Sequence, residues 1–259
     1  MKRKHILDTV LRIAVHVGGI APLLVLARAY AVKALTVNPI QAAEQRTGDI
    51  ALVLLLLTLA CTPLSLLTGY APLKQRTRAL GLYTFFYASV HLFLFTVVDY
   101  GLDLGLLFQQ LTEKPYIIAG TATFLILLAL AITSFRWWMK RMGKRWKQLH
   151  RLVYLAGVLA ALHLAWALKG DLFHLTGDVG RPLLVVAILL ILFGLRLPPV
   201  RRWIGRLRRT ILSRSLPSGR GKEISGVFTD VRRQKPLKKA HIPPDSGRQG
   251  AGDERDIKV

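Results

Sequence analysis

The sequence predicts an all-α membrane protein: a bundle of six transmembrane helices with both termini in the cytoplasm. Three observations carry this expectation. Of 259 residues, 52% are hydrophobic, and they gather in uninterrupted runs unlike the dispersed apolar positions of a soluble core. Six of these runs stand out, at lengths suited to crossing a hydrocarbon layer of ~30 Å as helices. The formal charge of +23 is concentrated in every second loop and in the C-terminal stretch.

Span 1 runs from about Val10 to Val32 and holds His16, the Gly18-Gly19 pair, Pro22 and Arg28. The basic Met1-Lys2-Arg3-Lys4 precedes it, but no small-residue cleavage site follows and Arg28 stands where a leader would end. It therefore reads as a retained span. Span 2 covers about Ile50 to Leu67 with Pro63 near its end, and span 3 covers about Leu80 to Val98 with His91 inside. Spans 4, 5 and 6 cover about Tyr116–Phe135, His150–Leu168 and Pro182–Leu197. Within lipid every backbone polar group must be paired inside its own segment, which makes each span a helix.

The loops set the orientation. Lys2, Arg3 and Lys4 precede span 1; Lys74, Arg76 and Arg78 separate spans 2 and 3. Arg136, Lys140, Arg141, Lys144, Arg145 and Lys147 separate spans 4 and 5, and Arg201, Arg202, Arg206, Arg208 and Arg209 follow span 6. The alternate loops are poorer in basic residues; the first of them is read as holding Lys33, Glu44 and Arg46. The positive-inside rule then places both termini in the cytoplasm and runs spans 1, 3 and 5 outward. From about Ser213 the chain turns to Ser, Gly, Pro, Arg and Lys, so residues 1–212 are expected to form the bundle and 213–259 a disordered basic cytoplasmic tail. The RRWIGRLRR stretch reads either as a positive stop or as a surface helix with Trp203, Ile204 and Leu207 toward lipid.

Several function classes fall away. The lone Cys61 allows no intramolecular disulfide and no cysteine-based metal site. There is no GxGxxG after a strand and no P-loop, and no span holds a carboxylate near its middle, where a proton-coupled transporter usually carries one. The basic residues flank apolar runs, so they fit lipid headgroups of the bilayer better than nucleic acid, which is not expected as a partner.

The chemistry-bearing residues are histidines. The stretch Lys144–Trp166, KRWKQLHRLVYLAGVLAALHLAW, carries His150 and His163 thirteen positions apart, or ~20 Å along a straight helix. Ionisable groups at membrane depth are costly and point to function. His91 falls ~3 Å and His163 ~6 Å to the outer side of the middle of spans 3 and 5, which run in the same direction. Two imidazoles at one depth on parallel helices can hold a heme iron between them, one on each axial side. Alternatively, each histidine satisfies a hydrogen bond within the bundle. His150, at the cytoplasmic end of span 5, would be an inner ligand, but the matching positions on span 3 hold Thr77 and Arg78. His16 could supply that inner ligand, contact a quinol headgroup, or bond within the bundle. Arg12, Arg76 and Arg78 could face heme propionates or serve only the positive-inside pattern, and Arg28 could face an outer propionate or snorkel. His5, His174 and His241 read as solvated.

These motifs resemble a known family. LRIAVHVGGIAPLL in span 1, RTRALGLYTFFYASVHL in span 3, EKPYIIAG opening span 4 and GKRWKQLHRLVYLAGVLAALHLAW in span 5 are similar to the YedZ/MsrQ family, over about residues 10–200. Its members are heme-binding membrane subunits of the bacterial periplasmic methionine sulfoxide reductase system, within the ferric reductase-like transmembrane superfamily. The resemblance implies heme b, an inner-membrane location, and electrons passing from membrane quinol to a periplasmic molybdopterin-containing reductase that repairs oxidised methionines. It also implies FMN, for which the sequence carries no motif. Relatives in the superfamily carry two histidines on span 3 where this chain has His91 alone, so heme number stays at one or two. The expected function is an electron-transfer subunit with no substrate site of its own. A ferric-reductase-like subunit with another partner, or a metal-ion transporter, are the alternatives.

Overall fold

The computed structural model describes residues 2–168 and 179–214, with side chains over 5–168 and 179–207. By contacts, residues 1–210 form one compact unit, and only four residues of the second, 211–259, are described. The expected tail therefore lies almost wholly outside the described residues, as does His174.

All regular elements among the described residues are helical: α1 (Lys2–Ala31), α2 (Pro39–Thr68), α3 (Pro72–Phe93), α4 (Leu104–Glu113), α5 (Pro115–Ile132), α6 (Arg136–Met142), α7 (Lys144–Leu149), α8 (Leu152–Ala167), α9 (Gly180–Gly194) and α10 (Pro198–Arg214). A π-helical turn, Leu94–Asp99, continues α3. Five segments are long and apolar enough to cross a membrane: α1, α2, α3 with its π turn, α5, and α7 with α8. A sixth is formed only if α9 and α10, bent by 72° at their junction, count as one broken span. Such a set makes the chain a multi-pass membrane protein. Exposed apolar side chains on α1, such as Leu7, Val10, Ile13, Val17, Leu24 and Val25, are the lipid-facing surface this requires.

Local chemistry explains the boundaries. Asn38 caps α2, its side chain accepting from the Gln41 N–H at 3.2 Å, and Pro39 supplies the first helical turn, where a missing N–H costs nothing. Gly69, at φ 71°, ends the helix in the left-handed conformation open to glycine. Because of this cap, α2 begins well before Ile50, so Glu44 and Arg46 sit on a helix and not in the first outer loop as their charges suggested. Asp103 caps α4, a short helix between the third and fourth spans, by accepting from the Leu106 N–H at 3.0 Å.

Two proline sites shape the packing. Pro63 inside α2 has no N–H, so the carbonyl of Leu59 loses its intrahelical donor. Arg196, in the elbow between α9 and α10, donates to that carbonyl and to the Tyr154 hydroxyl on α8, with its guanidinium 4.7 Å from the Tyr154 ring centre. One arginine thereby joins α2, α8 and the α9–α10 elbow. In α1, Pro22 disturbs the ladder near Gly19, and the fully buried Tyr87 of α3 donates its hydroxyl to the Gly19 carbonyl at 2.8 Å. Leu59, Ala161, Val185, Leu189 and Leu192 form one core cluster; Leu54, Cys61, Leu80 and Tyr87 form another.

Candidate functional site

The main helix pairings are α2 with α3 and α5 with α8. Each pair contributes one half of the site. His91 on α3 places Nδ1 2.9 Å from the carbonyl oxygen of Glu44 on α2. His163 on α8 places Nδ1 2.7 Å from the carbonyl oxygen of Tyr116 on α5. A carbonyl can only accept, so Nδ1 of a neutral ring carries the hydrogen in both histidines and Nε2 keeps the free lone pair. This is the arrangement of a metal-ligating imidazole: one nitrogen anchored to the protein, the other available.

The two rings lie 6.1 Å apart between centres, with planes at 84°. Imidazoles on opposite sides of one metal, with bonds of about 2 Å, put their ring centres about 6 Å apart. The spacing therefore fits a single metal-centred group held between the two rings. A bare ion is a poorer match, because no cluster of three or more His, Cys, Asp or Glu groups occurs among the described residues. Two imidazoles alone leave most of an ion's coordination sphere empty, whereas a porphyrin supplies the four in-plane nitrogens itself. Tyr116 lies 5.9 Å from the His163 ring, and elsewhere between the same helices Phe85 of α3 stacks on Phe124 of α5 at 5.7 Å.

The two halves share a register that the sequence does not advertise. No repeat is evident in the residues, yet each histidine bonds a carbonyl exactly as many positions earlier as the other, with a separation of 47 in both cases. Neither acceptor could be identified from residue type, since every residue has a carbonyl. The motif EKPYIIAG does contain Tyr116 and so acquires a physical role.

The other sequence candidates lie elsewhere. His150 sits where α7 gives way to α8, within the single span Lys144–Ala167 that also carries His163. Its ring stacks on Trp146 at 3.9 Å, its Nδ1 lies 3.1 Å from the Trp146 carbonyl, and its Nε2 is buried without a hydrogen-bond partner. His16 is exposed on α1, 3.0 Å from the Tyr83 hydroxyl of α3 through Nδ1. Arg76 and Arg12 both reach Asp8, at 2.6 and 3.8 Å, so a carboxylate already answers two of the arginines expected to face propionates. Arg28 is exposed near the end of α1.

Residues 47–161 match the family described as "Ferric reductase like transmembrane component". His91 and His150 fall inside that match and His163 just beyond it. The chain is 40% identical over 202 residues to the "Protein-methionine-sulfoxide reductase heme-binding subunit MsrQ" of Xanthomonas campestris pv. campestris (strain B100), covering 76% of this chain and 89% of that protein. It is 40% identical over 210 residues to the protein of that name from Xanthomonas euvesicatoria pv. vesicatoria (strain 85-10), covering 78% and 91%. The Bordetella pertussis protein of that name is 42% identical over 162 residues, 62% of this chain and 76% of its own.

Proposed function

Since the chain belongs to the MsrQ family of heme-binding subunits, we propose that it is a heme b electron-transfer subunit of an inner-membrane methionine sulfoxide repair system. It would pass electrons from membrane quinol to a periplasmic molybdopterin-containing reductase. The carrying observation is the His91–His163 pair: two rings 6.1 Å apart, each anchored through Nδ1. When bound, heme supplies one-electron exchange at iron. The protein's residues do the rest. His91 and His163 would hold the heme through Nε2, and the carbonyls of Glu44 and Tyr116 fix both tautomers and ring orientations. Four helices contribute to this clamp, so ring positions are set by helix packing and not by loops.

Both termini lie in the cytoplasm by the distribution of basic residues, with residues 1–212 forming the membrane unit and 213–259 a basic cytoplasmic extension. His150, with its unpartnered Nε2, is the candidate ligand of an inner heme. His16, exposed beside the Tyr83 hydroxyl, offers a polar pair to a quinol approaching from the bilayer. FMN rests on family likeness alone. The match to the ferric reductase family favours one second reading, a membrane reductase subunit serving another acceptor.

The test is reduction by a quinol. Purified protein in detergent should show a Soret band, and a short-chain quinol should reduce it without any soluble reductase. A colourless preparation refutes the heme reading; a heme protein inert to quinol but reduced by a cytoplasmic flavin donor refutes the quinol step.

A further inference from the structure

The two histidines meet their helices at glycines. Gly48 on α2 stands one turn after Glu44, and a Cβ there would lie 3.2 Å from both Nδ1 and Cε1 of His91. Gly120 on α5 stands one turn after Tyr116, and a Cβ there would lie 2.7 Å from Nδ1 and 2.9 Å from Cε1 of His163. Residues four apart share one helix face, so in each half the carbonyl and the bare glycine backbone form a single seat for one ring. Close approach at a glycine occurs elsewhere too, where it seats no histidine: a Cβ at Gly19 would lie 2.7 Å from the Tyr83 ring, and one at Gly157 3.1 Å from Leu59 Cδ1. Gly18 and Gly81 stand in open surroundings. A Cβ at Gly18 would meet nothing within 4 Å, and one at Gly81 would meet only Thr58 Cγ2 at 3.8 Å, an ordinary contact.

We propose that Gly48 and Gly120 are positioning residues for the cofactor site: the missing side chains let His91 and His163 lie against the helix backbone with Nδ1 on the carbonyl one turn earlier. The inference rests on the heme reading above. A methyl group at residue 120 cannot coexist with the present His163 ring, because contacts below 3.0 Å are not sustained. The ring must turn away, and its bond to the Tyr116 carbonyl is lost with the turn. Nδ1 then carries no fixed hydrogen, and Nε2 no longer aims where its counterpart on His91 does. At residue 48 the contact is tighter than usual but can be relieved by a shift of a few tenths of an ångström, so the same change acts there in weaker form. The glycines touch no reacting atom; they act through the ligands.

The experiment compares Gly120→Ala, Gly48→Ala, Gly18→Ala and Gly81→Ala in the full chain, purified from membranes supplied with heme. The readouts are heme per protein, the EPR signature of the ferric low-spin iron, and detergent unfolding. Alanine is the better helix former, so none of the four weakens a helix intrinsically. Gly120→Ala should weaken heme retention about tenfold or more, the usual cost of losing an outer-shell partner, and shift the EPR signature. Gly48→Ala should shift the signature with a smaller loss, and Gly18→Ala and Gly81→Ala should match wild type. Wild-type loading and EPR in Gly120→Ala overturn the proposal, as do losses in Gly18→Ala or Gly81→Ala equal to that in Gly120→Ala. If Gly120→Ala does not accumulate, an unchanged EPR signature in Gly48→Ala overturns it. A wild-type protein without heme refutes the heme reading itself, a separate outcome.

Discussion

Arg196 should lose most of its value to stability when Pro63 is replaced. Its guanidinium donates to the Leu59 carbonyl, which is free because Pro63 has no N–H to offer it, and to the Tyr154 hydroxyl. Arg196→Met keeps an apolar stem and removes the donors. A buried carbonyl left unpaired costs about 1–3 kcal/mol. Losing the guanidinium from the Tyr154 ring face, 4.7 Å away, adds about 0.5–2 kcal/mol. The single change should therefore destabilise by about 1.5–5 kcal/mol. Pro63→Ala restores an N–H to the ladder, so Leu59 regains its intrahelical partner. In that background only the Tyr154 contribution remains, and the two changes should couple by about 1–2 kcal/mol, above the ~0.6 kcal/mol average of membrane hydrogen bonds. The assay is a double-mutant cycle by unfolding in mixed detergent and SDS micelles. Additivity within about 0.5 kcal/mol would refute the assignment of Arg196 to the proline-freed carbonyl.

Two further outcomes follow from the same geometry. His150→Ala should leave the outer-site signal largely intact in the reduced-minus-oxidised spectrum, because its ring is held by Trp146 and not by the His91–His163 pair; loss of all heme would show that the sites are not separate. Tyr87→Phe removes a fully buried hydroxyl donated to the Gly19 carbonyl and should cost about 0.5–1.5 kcal/mol in detergent unfolding, with heme content unchanged. A neutral result there would mean that α1 is not held to α3 through this bond.

The membrane class and most spans were legible because hydropathy is a property of side chains. The meeting of His91 and His163 was legible too: helix rise converts position into height, and the two rings placed near one height by that reasoning lie 6.1 Å apart. What stayed hidden depends on backbone. The acceptors of Nδ1 are carbonyls of Glu44 and Tyr116, groups that every residue owns. Gly48 and Gly120 matter through atoms they lack, and nothing local separates them from Gly18 or Gly81. The start of α2 was obscured because Glu44, Arg46 and Asp49 look like loop residues, although Asn38 and Pro39 are an N-terminal signal. The α7–α8 junction at His150 carries no proline or glycine to announce it; the nearest glycines are Gly143, ahead of α7, and Gly157, inside α8. The Arg196 contact was equally hidden, because Pro63 signals a free carbonyl but not which distant donor will find it.

The most direct test of the paired-histidine clamp is EPR of the ferric protein with each ligand replaced in turn. Wild type should give a low-spin bis-imidazole signal with the ring planes close to the perpendicular, as the 84° between His91 and His163 implies. His91→Ala and His163→Ala should each abolish that signal. Its survival in both variants would contradict the assignment and place the heme elsewhere.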